Sequence, residues 1–169
     1  MRSSSTPQPS TNLYSNVQAG LWLSVTMEIV LQHLKTDDRA TAMTGKDGSG
    51  ARILVFEDVE ETRDGLESLL KADGFRVDPA RYEAEAVERA RREAPRLILV
   101  GIAGSEPAVI ATAARIREHA GLGEDVPIVI FSDDTVAEGA EVHIGRNVHL
   151  TRPDNFDQLN AFIHKLVNG

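Results

Sequence analysis

Three uninterrupted apolar runs, Ile53-Leu54-Val55-Phe56, Leu97-Ile98-Leu99-Val100 and Ile128-Val129-Ile130-Phe131, constrain this chain more than any other feature. A run of four with no polar alternation suits a strand covered on both faces, as in a parallel sheet. Between the runs the period changes from strand to helix. Leu66, Leu69 and Leu70 fall at i, i+3, i+4 with Gly74 as a stop. Residues 83–93 form an Ala-rich amphipathic stretch with Ala86, Val87 and Ala90 inward, and residues 107–119 align Val109, Ala113 and Ile116. Two shorter runs, Phe75-Arg76-Val77 and Val148-His149-Leu150, complete a set of five strands. A short helix is expected over 134–140, and a last one over 155–167 from Phe156, Leu159, Phe162, Ile163 and Leu166. Strands alternating with helices predict an α/β fold with right-handed crossovers and helices on both faces of the sheet.

The regular pattern begins only at Arg52. Residues 1–20 are rich in Ser, Thr, Pro, Gln and Asn, and residues 35–50 read as a linker ending in Gly and Ser. The expected organisation is therefore an N-terminal extension, 1–50, and a globular domain, 51–169. Within the extension, residues 21–34 are apolar but fit a strand or a helix face equally well. Glu28 and Gln32 interrupt that segment, so no membrane span is expected. Residues 1–50 hold four bases and four acids, so the whole net charge of −8 lies on 51–169. That acidic field disfavours nucleic acid as a partner. The chain has no cysteine, which excludes disulfides and thiolate metal sites.

In a five-stranded parallel sheet of flavodoxin-like order 2-1-3-4-5, a site lies where strands 1, 3 and 4 end. Strand 1 ends in Glu57-Asp58, strand 3 in Gly101, strand 4 in Ser132, and strand 5 leads into Thr151-Arg152-Pro153. Two adjacent carboxylates suit a hard divalent cation.

These residues, in this order, resemble a bacterial response-regulator receiver domain of the CheY-like type. ILVFEDVEETRDGLESLLKADGF is similar to its opening strand, acidic pair and first helix. RLILVG resembles its third strand, PIVIFS its fourth, and HLTRPDNF the turn before its last helix. The likeness spans residues 51–169. It implies that Glu57 and Asp58 are the acidic metal pair and that Gly101 stands at the phosphoacceptor position. It further implies that Ser132, His149 and Arg152 are the switch residues. Gly101 departs from the family's aspartate, and Arg152 from its lysine.

A receiver's phosphotransfer needs a carboxylate nucleophile, and glycine supplies none. The implied function is a pseudo-receiver, a protein-interaction module of cytoplasmic two-component-type signalling without catalysis of its own. Its partner surface is expected within residues 134–167, a homodimer being a further option. No cofactor is expected beyond residual Mg²⁺ at Glu57 and Asp58. Arg152 is expected to pair with Glu57 or Asp58, because guanidinium binds carboxylates through two parallel hydrogen bonds.

Plainer roles stand beside these. Asp58 and Glu61 have the spacing of a capping box for the first helix, and Asp154 is placed to cap the last. The histidines show no metal-ligand spacing. Two other functions fit the same layout. One is a receiver using Asp58 or Ser105 as an unconventional acceptor, and the other a small-ligand or enzymatic domain. The second lacks a glycine-rich phosphate loop after strand 1, where Glu57-Asp58-Val59-Glu60-Glu61 would repel an anion.

Overall fold

The computed structural model describes residues 50–131 and 136–169. The chain runs β1 (Arg52–Glu57), α1 (Glu60–Ala72), β2 (Arg76–Ala80), α2 (Glu83–Arg92), β3 (Leu97–Gly101), α3 (Glu106–Ala120), β4 (Ile128–Phe131), β5 (Glu141–Gly145), β6 (Val148–Thr151) and α4 (Phe156–Asn168). The segment 21–34 and Ser132 lie outside the described residues.

The strands form one sheet in the order β2-β1-β3-β4-β6-β5. The first five in that order are parallel, and β5 joins β6 antiparallel. The α/β class and the order expected for the parallel strands are both present, with β6 in the expected fifth place. The strand count is corrected from five to six. The helix expected over 134–140 is also corrected over its described part, because residues 136–140 are not helical. They lead instead into a hairpin of β5 and β6. Arg146 and Asn147 turn it with φ of 50° and 54°, the left-handed pair that matches the twist of two antiparallel strands.

Strand alternation sends side chains to two separate layers. Ile53, Val55, Leu97, Leu99, Val129 and Phe131 pack under α1 and α4, beside Leu66, Leu70, Leu159 and Ile163. Leu54, Phe56, Ile98, Val100, Ile128 and Ile130 pack under α2 and α3, beside Ala86, Val109, Ala113 and Ile116. Both faces are therefore dry, which is why the strands read as continuous apolar runs. Each fully buried Leu or Ile contributes roughly 1.5–3 kcal/mol by removal from water.

Helix ends explain most element boundaries. Gly74 has φ 92°, and the amide of Phe75 donates to Leu70 O at 3.1 Å, which closes α1. β2 tolerates Pro79 because it is a sheet edge, where the missing N–H faces away from β1. Arg117, near the end of α3, is buried and donates to Arg146 O at 2.6 Å and Val126 O at 2.5 Å. It thereby fastens the hairpin turn to the body of the fold. Among the described residues no helix is long and apolar enough to cross a membrane.

Candidate functional site

The parallel register sets Glu57, the last residue of β1, beside Gly101, the last of β3. Strand pleating and the covered sheet leave the Glu57 side chain 3% exposed. It does not reach outward toward solvent. Its Oε1 accepts a hydrogen bond from the Val59 amide at 2.9 Å, and its Oε2 lies over the α-carbon of Gly101. A β-carbon at position 101 would overlap Glu57 Oε2 and come within 3.0 Å of Phe131 Cδ2. The space in which an acceptor side chain would begin is thus filled by a carboxyl from the neighbouring strand and by an aromatic ring from β4.

Burial pushes the Glu57 carboxyl up to about 8, opposed by the Val59 hydrogen bond and reinforced by the neighbouring charge of Asp58. At neutral pH the group is mostly a carboxylic acid. Arg63 lowers that value somewhat, and its Nη1 donates to Glu57 O at 3.1 Å. The charged groups that act most on Glu57 are Asp58, which raises its pKa, and Arg63, which lowers it. One cation beside this carboxyl, Arg63, comes from α1.

Asp58 is exposed, and its Oδ2 accepts from the Ala103 amide at 3.5 Å, a long contact. It does not cap α1. The cap position is Val59, without a side-chain hydrogen bond, so the Asp58–Glu61 capping box is not formed. At the last helix the cap is Asn155, which accepts from the Gln158 amide at 2.9 Å. Gln158 returns the bond by accepting from the Asp154 amide at 2.7 Å.

A divalent cation of the Mg²⁺ type needs several oxygen ligands in an octahedron. Here one carboxyl is buried, mostly protonated and turned onto Gly101, and the other stands exposed beside it. Among the described residues no group of three or more His, Asp or Glu side chains is placed to hold a metal. The described residues by themselves do not form such a site, and no chemistry is derived through one.

The remaining expected residues lie toward the far side of the sheet. His149 shares a register level with Val129, Leu99 and Val55, two residues below Glu57 and three strands across. At about 4.8 Å per strand that is ~14 Å sideways. Its ring lies 4.9 Å from that of His143 and 5.6 Å, edge-on, from Phe162. Its Nε2 is 3.0 Å from Asn147 Oδ1. Burial, then the His143 and Lys165 charges, lower its pKa. Arg152 is half-buried, and its backbone pairs with the segment before β5, accepting from Gly139 at 2.7 Å and donating to Ala140 at 3.3 Å. The fold therefore joins Glu57, Asp58 and Gly101, while His149 and Arg152 belong to the hairpin side. Phe131 and Arg63 complete the closed pocket. Phe131 reads from sequence only as the end of an apolar run, and Arg63 only as a polar helix residue.

No protein-family model matches the chain. One curated relative is 32% identical over 103 residues, covering 60% of this chain and 78% of its own: the uncharacterized 14.6 kDa protein in the sodA1 3′ region of Leptolyngbya boryana. Among solved structures, the response regulator TrrA of Thermotoga maritima in complex with Mg²⁺-BeF superposes with TM-score 0.50 at 22% identity. That match covers 69% of this chain and 98% of TrrA. A structure of the histidine kinase ThkA in complex with TrrA matches with TM-score 0.54, also at 22% identity, over 69% of this chain and 97% of the matched one. NtrX from Brucella abortus, in complex with ATP, gives TM-score 0.52 at 18% identity, over 70% of this chain and 27% of NtrX. At these identities the structural likeness is one of fold.

Proposed function

The chain belongs to one family with the 14.6 kDa protein of Leptolyngbya boryana and has the response-regulator receiver fold, and on that premise we propose that it acts as a pseudo-receiver. It is a non-catalytic protein-interaction module of two-component-type signalling. One observation carries this reading: any side chain at position 101 would start inside the volume held by Glu57 Oε2. Loss of the nucleophile alone would leave an open, repairable site. Here the end of the Glu57 side chain, held by the Val59 amide, occupies it, and that carboxyl is largely uncharged at pH 7. Among the described residues the pocket offers no carboxylate at the acceptor position and no pair of ionised ligands for a cation.

Signalling without phosphoryl transfer leaves shape and contact as the means of output. The partner surface is assigned to the hairpin and α4, the described part of the expected 134–167 region. Support comes from the departure there from alternating strands and helices, and from TrrA, a receiver-fold protein whose structure includes a histidine kinase bound to it.

The test is chemical. The full chain is incubated with Mg²⁺ and a small-molecule phosphodonor, and its intact mass is followed. An unmodified mass is expected. A covalent phosphoryl adduct, whether at Asp58, Ser105 or elsewhere, overturns the proposal.

A further inference from the structure

The hairpin leaves β5 at the edge of the sheet, with β6 its one strand neighbour among the described residues. Glu141, Val142, His143 and Ile144 are all exposed. Val142 at 42% and Ile144 at 39% are two of the three large hydrophobic side chains exposed among the described residues. Ile144 also lines a groove of about 540 Å³ with Ile110, Ala114, Leu122 and Val148. An edge strand presents a row of backbone donors and acceptors, and folds that leave one open blunt it with short length, charges, Pro or bulges. This strand has no Lys or Pro. It is five residues long, begins with Glu141 and has a bulge between His143 and Gly145, so only the central Val142–Ile144 stretch is offered for pairing.

We infer that β5 pairs antiparallel with β5 of a second copy of this chain, about a two-fold axis at His143, joining the two sheets edge to edge. A two-fold contact must be complementary to itself, since each residue meets its counterpart's partner. This strand meets that condition in two ways. Antiparallel pairing about His143 sets Val142 of each copy opposite Ile144 of the other, so the exposed apolar pair is covered twice by one register. The charges agree as well. Glu138 and Glu141 lie at or before the start of the strand and Arg146 follows its end. Within one copy Glu141 pairs with Lys165 at 3.3 Å and Arg146 with Glu124 at 2.8 Å. Antiparallel pairing therefore sets Glu138 and the Glu141–Lys165 pair of one copy beside the Arg146–Glu124 pair of the other. A parallel arrangement would bring like to like. The domain carries the whole −8 charge of the chain, which opposes association in general and makes such a local match necessary for any contact between copies. This contact is independent of the phosphoryl chemistry, so failure of either proposal leaves the other standing.

The absence of cysteine makes the geometry directly testable. His143→Cys sits on the proposed axis, where facing residues of an antiparallel pair lie about 4.5–5.5 Å apart, within disulfide reach. Oxidation of the full chain is expected to yield a covalent dimer from His143→Cys and not from Tyr82→Cys, which is 61% exposed on another surface. In sedimentation equilibrium the parent chain should associate reversibly. Val142→Lys and Ile144→Lys should weaken the dimer by roughly tenfold or more each, with circular dichroism unchanged. A parent chain that stays monomeric to millimolar concentration overturns the inference. So does cross-linking at Tyr82→Cys as fast as at His143→Cys, or a dimer that persists in both lysine variants.

Discussion

The carboxyl ends of β1 and β3 and the lateral edge at β5 stand in opposite states. At the first, everything is spoken for. The Glu57 carboxyl takes the Val59 amide, fills the space over Gly101 and leaves only 3% of the residue exposed. At the second, four successive residues of a strand face solvent and no described strand lies beyond them. The proposed function turns on the first region, the receiver family's expected phosphoryl site. In this chain the Glu57 carboxyl fills that region, and β5 adds exposed surface at the other end. The difference teaches that losing one carboxylate does not by itself define the protein. The closing of the pocket and the opening of an edge are separate structural facts, and each can be broken separately.

The largest effect is expected from trying to reopen the closed region. Gly101→Asp restores the acceptor side chain in name, but its β-carbon overlaps Glu57 Oε2 and crowds Phe131. The variant adds overpacking and a second buried acid beside the first. Destabilisation of about 3 kcal/mol is expected in urea unfolding, with no phosphoryl uptake. Parental stability together with phosphorylation would break the comparison, because the pocket would then be open. At the other region, Arg117→Met keeps the aliphatic stem but withdraws the donors from Arg146 O and Val126 O. About 2 kcal/mol of stability should be lost. Hydrogen-exchange protection should fall first at the amides of β5 and β6, while β1 and β3 keep theirs.

Sequence and structure agree where strands are covered on both faces and diverge where they are not. Ile53–Phe56 and Leu97–Val100 announce buried parallel strands because burial on both faces leaves no room for a polar residue. β5 announces nothing comparable. Glu141, Val142, His143 and Ile144 alternate over only four positions, and its turn uses Arg146 and Asn147 at positive φ, where Asn-Gly is the usual signal. The short helix expected over 134–140, just before β5, rests on the alternation of strands and helices, which does not register a hairpin. The site was legible to the same degree. Glu57, Asp58 and Gly101 follow from the strand ends, because parallel register brings those ends together. The direction of the Glu57 side chain does not follow, since it depends on the volume that Gly101 leaves free.

A titration sharpens the closed side of the comparison. The unfolded chain releases the Glu57 proton near the ordinary value of 4.5, and the folded chain near about 8. Between these values the folded state binds more protons, so stability falls as pH rises. The contribution is fully present below 4.5 and is lost as pH passes about 8. The slope from one such group is at most about 1.4 kcal/mol per pH unit. Glu57→Gln, neutral at every pH, should flatten it. An identical pH profile in parent and variant would mean that the carboxyl is hydrated and ionised, and the pocket not closed.

The smallest effect belongs to Asp58, and it separates two readings of the same residue. A true helix N-cap loses about 1 kcal/mol on replacement by Ala, as Asn155→Ala should, because its side chain accepts from the Gln158 amide. Asp58 makes no such bond to α1, and its contact with Ala103 is long. Asp58→Ala should therefore change stability by less than about 0.5 kcal/mol. Its charge nonetheless raises the Glu57 pKa, so the Glu57 proton should leave at a lower pH in the variant and the fall in stability with pH should end sooner. A loss as large as that of Asn155→Ala would return Asp58 to the capping role. An unmoved pH profile would mean that Asp58 and Glu57 do not share one electrostatic environment, and the closed pocket would then consist of Glu57, Gly101 and Phe131 alone.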